Sequence, residues 1–96
     1  MSTVGPSEEH VVDARGLRCP LPVIRLAERA QELPSGTELT VLATDPAAQH
    51  DVPAWARLRG HTVIAAQTHE ADGRPWWALT VRLGGRAPGS SAASRR

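Results

Sequence analysis

Pro20 and Pro22 constrain the fold of this chain more than any other pair of residues. Proline has no N–H and fixes φ, so two of them this close are excluded from a helix interior but accepted in its first turn. The residues that follow repeat at helical spacing. Val23, Leu26, Ala27 and Ala30 fall on one face, and Arg25, Glu28, Arg29 and Glu32 line the other. A helix is therefore expected from Pro20 to about Leu33, closed by the breakers Pro34-Ser35-Gly36. With Pro20 and Pro22 at the first and third helical positions, Cys19 falls at the helix mouth. The positive end of the helix dipole there favours a thiolate over a thiol. Neither proline offers an N–H, so the amide of Leu21 is the nearest donor to the sulfur, and Arg15 and Arg18 add positive charge if they fold toward it. The expectation is an activated sulfur on a stiff platform of Pro20, Leu21 and Pro22.

Composition narrows the rest. Ninety-six residues make one small domain, and without Phe or Tyr its core must be built from aliphatic side chains and three tryptophans. Eleven basic residues against ten acidic ones leave a net charge of +1, which argues against nucleic-acid binding. Cys19 is the single cysteine, so no internal disulfide can form, and a secreted chain of this size would usually carry several. No signal core or membrane-length apolar run is visible in the sequence. A cytoplasmic protein without membrane contact is the expectation.

Taken in order, residues 1–9 are small and polar and are expected to be disordered. His10 to Asp13 is a brief strand, followed by a turn at Asp13-Ala14-Arg15-Gly16 and then the proline-started helix. Thr37 to Thr44 is the clearest strand, with Leu39, Val41 and Ala43 on one face. Asp45-Pro46 and Asp51-Val52-Pro53 are both helix-start signals, so the second helix is expected to be broken, firm from about Pro53 to Arg59, with Trp55 and Leu58 inward and Gly60 as the stop. His61 to His69 and Pro75 to Leu83 form a hairpin around Asp72-Gly73. Trp77, Leu79, Val81 and Leu83 should be buried, leaving Trp76 on the outer face or near an edge. Residues 86–96 have the composition of a flexible tail. The order βαβαββ and the one-sided patterns predict an α+β, two-layer α/β sandwich with a mixed four-stranded sheet and two helices on one face.

At this point the motif resembles a known family. Leu17-Arg18-Cys19-Pro20-Leu21-Pro22 at a strand-to-helix junction is similar to the Cys-Pro-x-Pro motif of the TusA/SirA/YedF sulfur-carrier proteins. Asp13-Ala14-Arg15-Gly16-Leu17, Asp45-Pro46-Ala47, Asp51-Val52-Pro53 and Gly84-Gly85 also fit, so the resemblance spans residues 10–85. It implies that Cys19 receives sulfane sulfur as a persulfide and passes it on. The implied donor is a cysteine desulfurase or a rhodanese-type enzyme, and the implied end uses include tRNA thiolation and other sulfur metabolism. Partners are then a donor and a downstream acceptor protein, met by a monomer in transient complexes without direct nucleic-acid contact. Some members carry a second cysteine; this chain has none, so no intramolecular disulfide relay is available.

Plainer readings stand beside this one. Most lone cysteines are inert and buried. Arg15 and Arg18 can be solvated charges, Asp13 a turn residue, and Asp45 and Asp51 helix caps. His10, His50, His61 and His69 are scattered without ligand spacing, so no metal or cofactor site is expected. A non-catalytic interaction module of the same fold and a factor in selenium metabolism are the alternative functions.

Overall fold

The computed structural model describes residues 10–84. Its elements are β1 (Val11–Ala14), α1 (Leu21–Ala30), β2 (Glu38–Ala43), α2 (Ala48–Arg59), β3 (Thr62–Ala71) and β4 (Arg74–Arg82). The sheet order is β1-β2-β4-β3. β1 runs parallel to β2, with Val12 beside Val41 and Ala14 beside Ala43. β4 lies between β2 and β3 and is antiparallel to both. This is the mixed four-stranded α+β sandwich expected from the sequence. The segments 1–9 and 86–96, expected to lack order, lie outside the described residues, as does Gly85.

Strand alternation decides which face is covered. Ala14, Leu39, Val41, Ala43, Leu79 and Val81 share one face and meet Leu26 of α1 and Ala48, Val52 and Ala56 of α2 in one buried cluster. Burying side chains such as Leu26, Leu39 and Val81 stabilises the fold by about 1.5–3 kcal/mol each, taken as an upper estimate. The opposite face is wetter: Thr40 and Thr80 stand paired across β2 and β4, with their hydroxyl oxygens 2.8 Å apart. Trp76 lies half-buried on that face, where His69 stacks on it at 4.3 Å.

The helices depart from expectation in four places. α1 begins at Leu21, so Pro20 is its N-cap and Pro22 its second residue. Beyond Ala30 the chain tightens, with the N–H groups of Glu32 and Leu33 reaching back three residues to Arg29 and Ala30. α2 is a single helix from Ala48, with Pro53 inside it. Pro53 deletes one helical N–H, yet Ala48, Val52 and Ala56 form a buried stripe at four-residue spacing, and its packing on the sheet holds the helix together. That stripe also places Leu58 outward, 78% exposed, because two residues beyond Ala56 is about 200° around the helix. Trp55 is half-buried against the core, its ring 4.8 Å from that of His61.

β3 runs on to Ala71, and the hairpin turns at Asp72 and Gly73, with φ of 54° and 77°. Two positive φ values match the right-handed twist of the flanking strands, which is why Asp-Gly suits this position. At the end of β4 the Gly84 N–H donates to His61 Nδ1 at 2.7 Å. A Cβ on Gly84 would stand 2.1 Å from the Gly60 carbonyl oxygen, so the close approach requires glycine.

Candidate functional site

The cysteine loop joins the end of β1 to the start of α1 and is tied to the neighbouring chain by its backbone. The Leu17 N–H donates to the Ala14 carbonyl at 3.2 Å, closing a turn in which Gly16 has φ 86°. The Gly16 N–H donates to Thr44 Oγ1 at 2.8 Å, and the Cys19 N–H to Asp45 Oδ2 at 2.9 Å. Both acceptors follow β2, so the parallel pairing of β1 with β2 is what brings the loop and its anchors together. The Cys19–Pro20 peptide bond is cis. Cys19 lies one residue before the N-cap, half-buried and packed against the core cluster.

Asp45 serves two elements at once. One carboxylate oxygen accepts from Cys19, and the other accepts from the Ala47 N–H at 2.9 Å in the turn that leads into α2. These two N–H bonds, the one from Cys19 foremost, hold the Asp45 carboxyl below its ordinary range, with a smaller contribution from the Arg18 guanidinium. Asp45 is expected from the sequence to cap α2, yet the N-cap is Ala47 with no side-chain cap bond, so Asp45 instead closes a turn two residues ahead of it and fixes the cysteine loop. Arg18 is exposed and acts on this carboxylate.

The sulfur is not activated. Burial pushes the Cys19 thiol up to about 11, assisted by Asp51 and by the negative charge of Asp45. This reverses the expected thiolate. The amide of Leu21, expected to face the sulfur, donates instead to the Arg18 carbonyl at 2.8 Å. A helix dipole contributes roughly 0.3–1 kcal/mol at an exposed N-terminus, less than one pKa unit, and here two carboxylates and partial burial outweigh it. At neutral pH Cys19 is a thiol.

The other residues singled out by sequence divide into two groups. Pro22 is fully buried and Pro20 and Leu21 are exposed, so the first turn presents one anchored and two outward side chains. Arg15 does not turn to the sulfur. Its guanidinium forks onto Asp13, with two bonds of 2.9 Å, and lies 5.1 Å over the Trp76 ring. That hydrogen bonding holds Asp13 below the usual carboxylate range. The residue that sequence reading underrated is Asp51. Its motif reads as a helix start, and the tertiary fold makes it one of the two acidic groups that raise the thiol.

A shallow groove of about 600 Å³, lined by His10, Thr37, Glu38, Thr40, Ile64, Ala65 and Thr80, lies at the other end of the sheet from Cys19. Among the described residues no group of three His, Cys, Asp or Glu side chains stands close enough to hold a metal ion, and no helix is long and apolar enough to cross a membrane.

Comparison with known proteins points the same way as the motif. A family model described as "Sulfurtransferase TusA" matches residues 10–82. The chain is 42% identical over 69 residues to a protein of Bacillus subtilis (strain 168) named "Putative sulfur carrier protein YrkI", a match covering 72% of this chain and 91% of that one. Its fold is similar to the crystal structure of a SirA-like protein from Desulfitobacterium hafniense, with a TM-score of 0.60 and 27% identity, covering 77% of this chain and 96% of the other.

Proposed function

Because this chain belongs to the TusA sulfurtransferase family, we propose that it is a sulfur carrier whose Cys19 accepts sulfane sulfur as a persulfide and relays it to a downstream acceptor. The observation that carries this reading is the place of the chain's one thiol. Cys19 sits in the short connection ahead of α1, outside any element, and its loop is fixed by Asp45 and stiffened by Pro20 and Pro22. A pre-ordered tip loses little freedom on docking into a partner's active site.

The transfer balances without an oxidant. The Cys19 sulfur attacks the outer sulfur of a donor persulfide; a new S–S bond forms on Cys19, the donor's S–S bond breaks, and the donor leaves as a thiolate that takes up the proton lost by Cys19. Hand-off repeats the same exchange, with an acceptor thiol as the attacking group. The absence of a second cysteine in the chain removes intramolecular release as a disulfide. A cysteine desulfurase or rhodanese-type enzyme is the donor class, and a thiolation or sulfur-metabolism protein, such as one serving tRNA thiolation, is the acceptor class. The exchange takes place in the cytoplasm, where a lone thiol stays reduced.

The test is intact mass after incubation with a cysteine desulfurase and cysteine, or with a low-molecular-weight persulfide. A gain of one sulfur atom that disappears in Cys19→Ala is expected. No gain, or a gain that survives the substitution, overturns the reading. The raised thiol favours one rival, a non-catalytic interaction module of the same fold. Under that rival Cys19→Ser leaves the cellular phenotype intact, whereas a carrier loses it.

A further inference from the structure

Two consecutive residues after β2 pin the cysteine loop at both ends, and one of them holds nothing else. Resting on the carrier reading, we propose that Thr44 is a positioning residue for sulfur transfer: by holding the Gly16 N–H, its hydroxyl keeps the loop in the shape that a protein partner docks on.

The β1–β2 ladder ends at Ala14 beside Ala43. Just past it the chain turns away at Gly16, and the Thr44 hydroxyl accepts the Gly16 N–H at 2.8 Å. Asp45 takes the Cys19 N–H at 2.9 Å. The two pins differ in what else they hold. Asp45 also accepts from Ala47 in the turn before α2, so its loss would disturb that turn as well. Among the described residues the Thr44 hydroxyl has no hydrogen-bond partner besides Gly16. Thr44 is exposed and lies outside the buried core, so its side chain has no packing role to lose.

Gly16 is where the loop most needs holding. Its φ is 86°, and a residue without a Cβ takes up negative φ about as readily. A Cβ there would meet nothing within 4 Å, so the glycine serves the backbone angle and not a close approach. Rotation about this residue swings Leu17, Arg18 and Cys19 relative to Pro20 and Leu21, the exposed residues at the start of α1. A partner that closes on several of these groups at once binds only the molecules whose loop holds the competent shape, and its apparent affinity falls with that fraction. A small persulfide reads the sulfur alone.

Loading by a cysteine desulfurase with cysteine, followed by intact mass at increasing carrier concentration, tests this on the full chain. One net hydrogen bond corresponds to a factor of about five. Thr44→Val keeps the branched shape and removes the hydroxyl. It is expected to raise the half-saturating carrier concentration about fivefold and to leave the maximal rate unchanged. Thr44→Ser keeps the hydroxyl and should stay within about twofold of the unsubstituted protein. Loading by a low-molecular-weight persulfide should be the same for all three. A Thr44→Val protein that is folded by circular dichroism and keeps the original half-saturating concentration overturns the proposal. So does a Thr44→Ser protein as impaired as Thr44→Val, or an equal loss with the small persulfide. One measurement needs no variant: the Gly16 amide should exchange with solvent about tenfold more slowly than in an unstructured peptide, and equal rates overturn the proposal too. Failure of the unsubstituted protein to load from either source is a separate result, which sinks the carrier reading and this proposal with it.

Discussion

The reactivity of Cys19 against pH is the most direct check on the site. The structure raises the thiol from an ordinary 9.0 to about 11. Two units reduce the thiolate fraction at neutral pH about 100-fold, because each unit is a factor of ten below the midpoint. A more basic thiolate is also a better nucleophile, with a Brønsted slope of about 0.4–0.5, which restores roughly sixfold to tenfold. The net expectation is alkylation at pH 7 about 10–15 times slower than for an unstructured cysteine peptide. The shape of the profile is as informative as the rate. The logarithm of the rate should still rise with unit slope at about pH 10, where the peptide has already levelled off. Iodoacetamide alkylation followed by intact mass from about pH 6 to pH 10 measures both quantities. A plateau below about pH 9, or a neutral rate equal to that of the peptide, would refute the placement of the sulfur between partial burial and two carboxylates.

Three further outcomes are expected. Leu26→Ala, at a fully buried position of α1, should cost about 2–5 kcal/mol in denaturant unfolding, and Leu58→Ala, at a site of α2 78% exposed, should stay within about 0.5 kcal/mol; equal effects would contradict the assignment of buried and exposed helix faces. Gly84→Ala drives a methyl group to 2.1 Å from the Gly60 carbonyl and should lower the melting temperature while detaching the Gly84 amide from His61, visible as faster hydrogen exchange of that amide. Asp45 titrates below its usual 3.8 in the folded state, so its contribution to stability is present in full above the unfolded value and is lost as pH falls through the folded one; a carboxyl NMR titration should place its midpoint under 3.8, and Asp45→Asn should flatten this part of the acid side of the stability profile.

Much of the architecture was legible because it follows from local patterns that have few solutions. Leu39, Val41 and Ala43 recur at every second position of a β-branched-rich run, Asp72-Gly73 supplies two positive φ values, and Pro20 with Pro22 marks where a helix can begin. The second helix shows the limit of such patterns. Pro53 reads as a break and Trp55 with Leu58 as an inward pair. The sheet instead accepts the small residues Ala48, Val52 and Ala56, and their close packing overrides the local penalty of one proline.

The sequence alone determined the element order, the covered face of the sheet, and the isolation of a single thiol ahead of a proline-stiffened helix, since these depend on residue type and spacing within short windows. The tertiary structure alone decided the state of that thiol. Asp45 and Asp51 are 26 and 32 residues away along the chain, and only the parallel β1–β2 pairing and the docking of α2 bring their carboxylates to the cysteine loop. Charge acts through space and burial depends on what packs nearby, so a rule that reads the helix terminus by itself predicts the opposite sign.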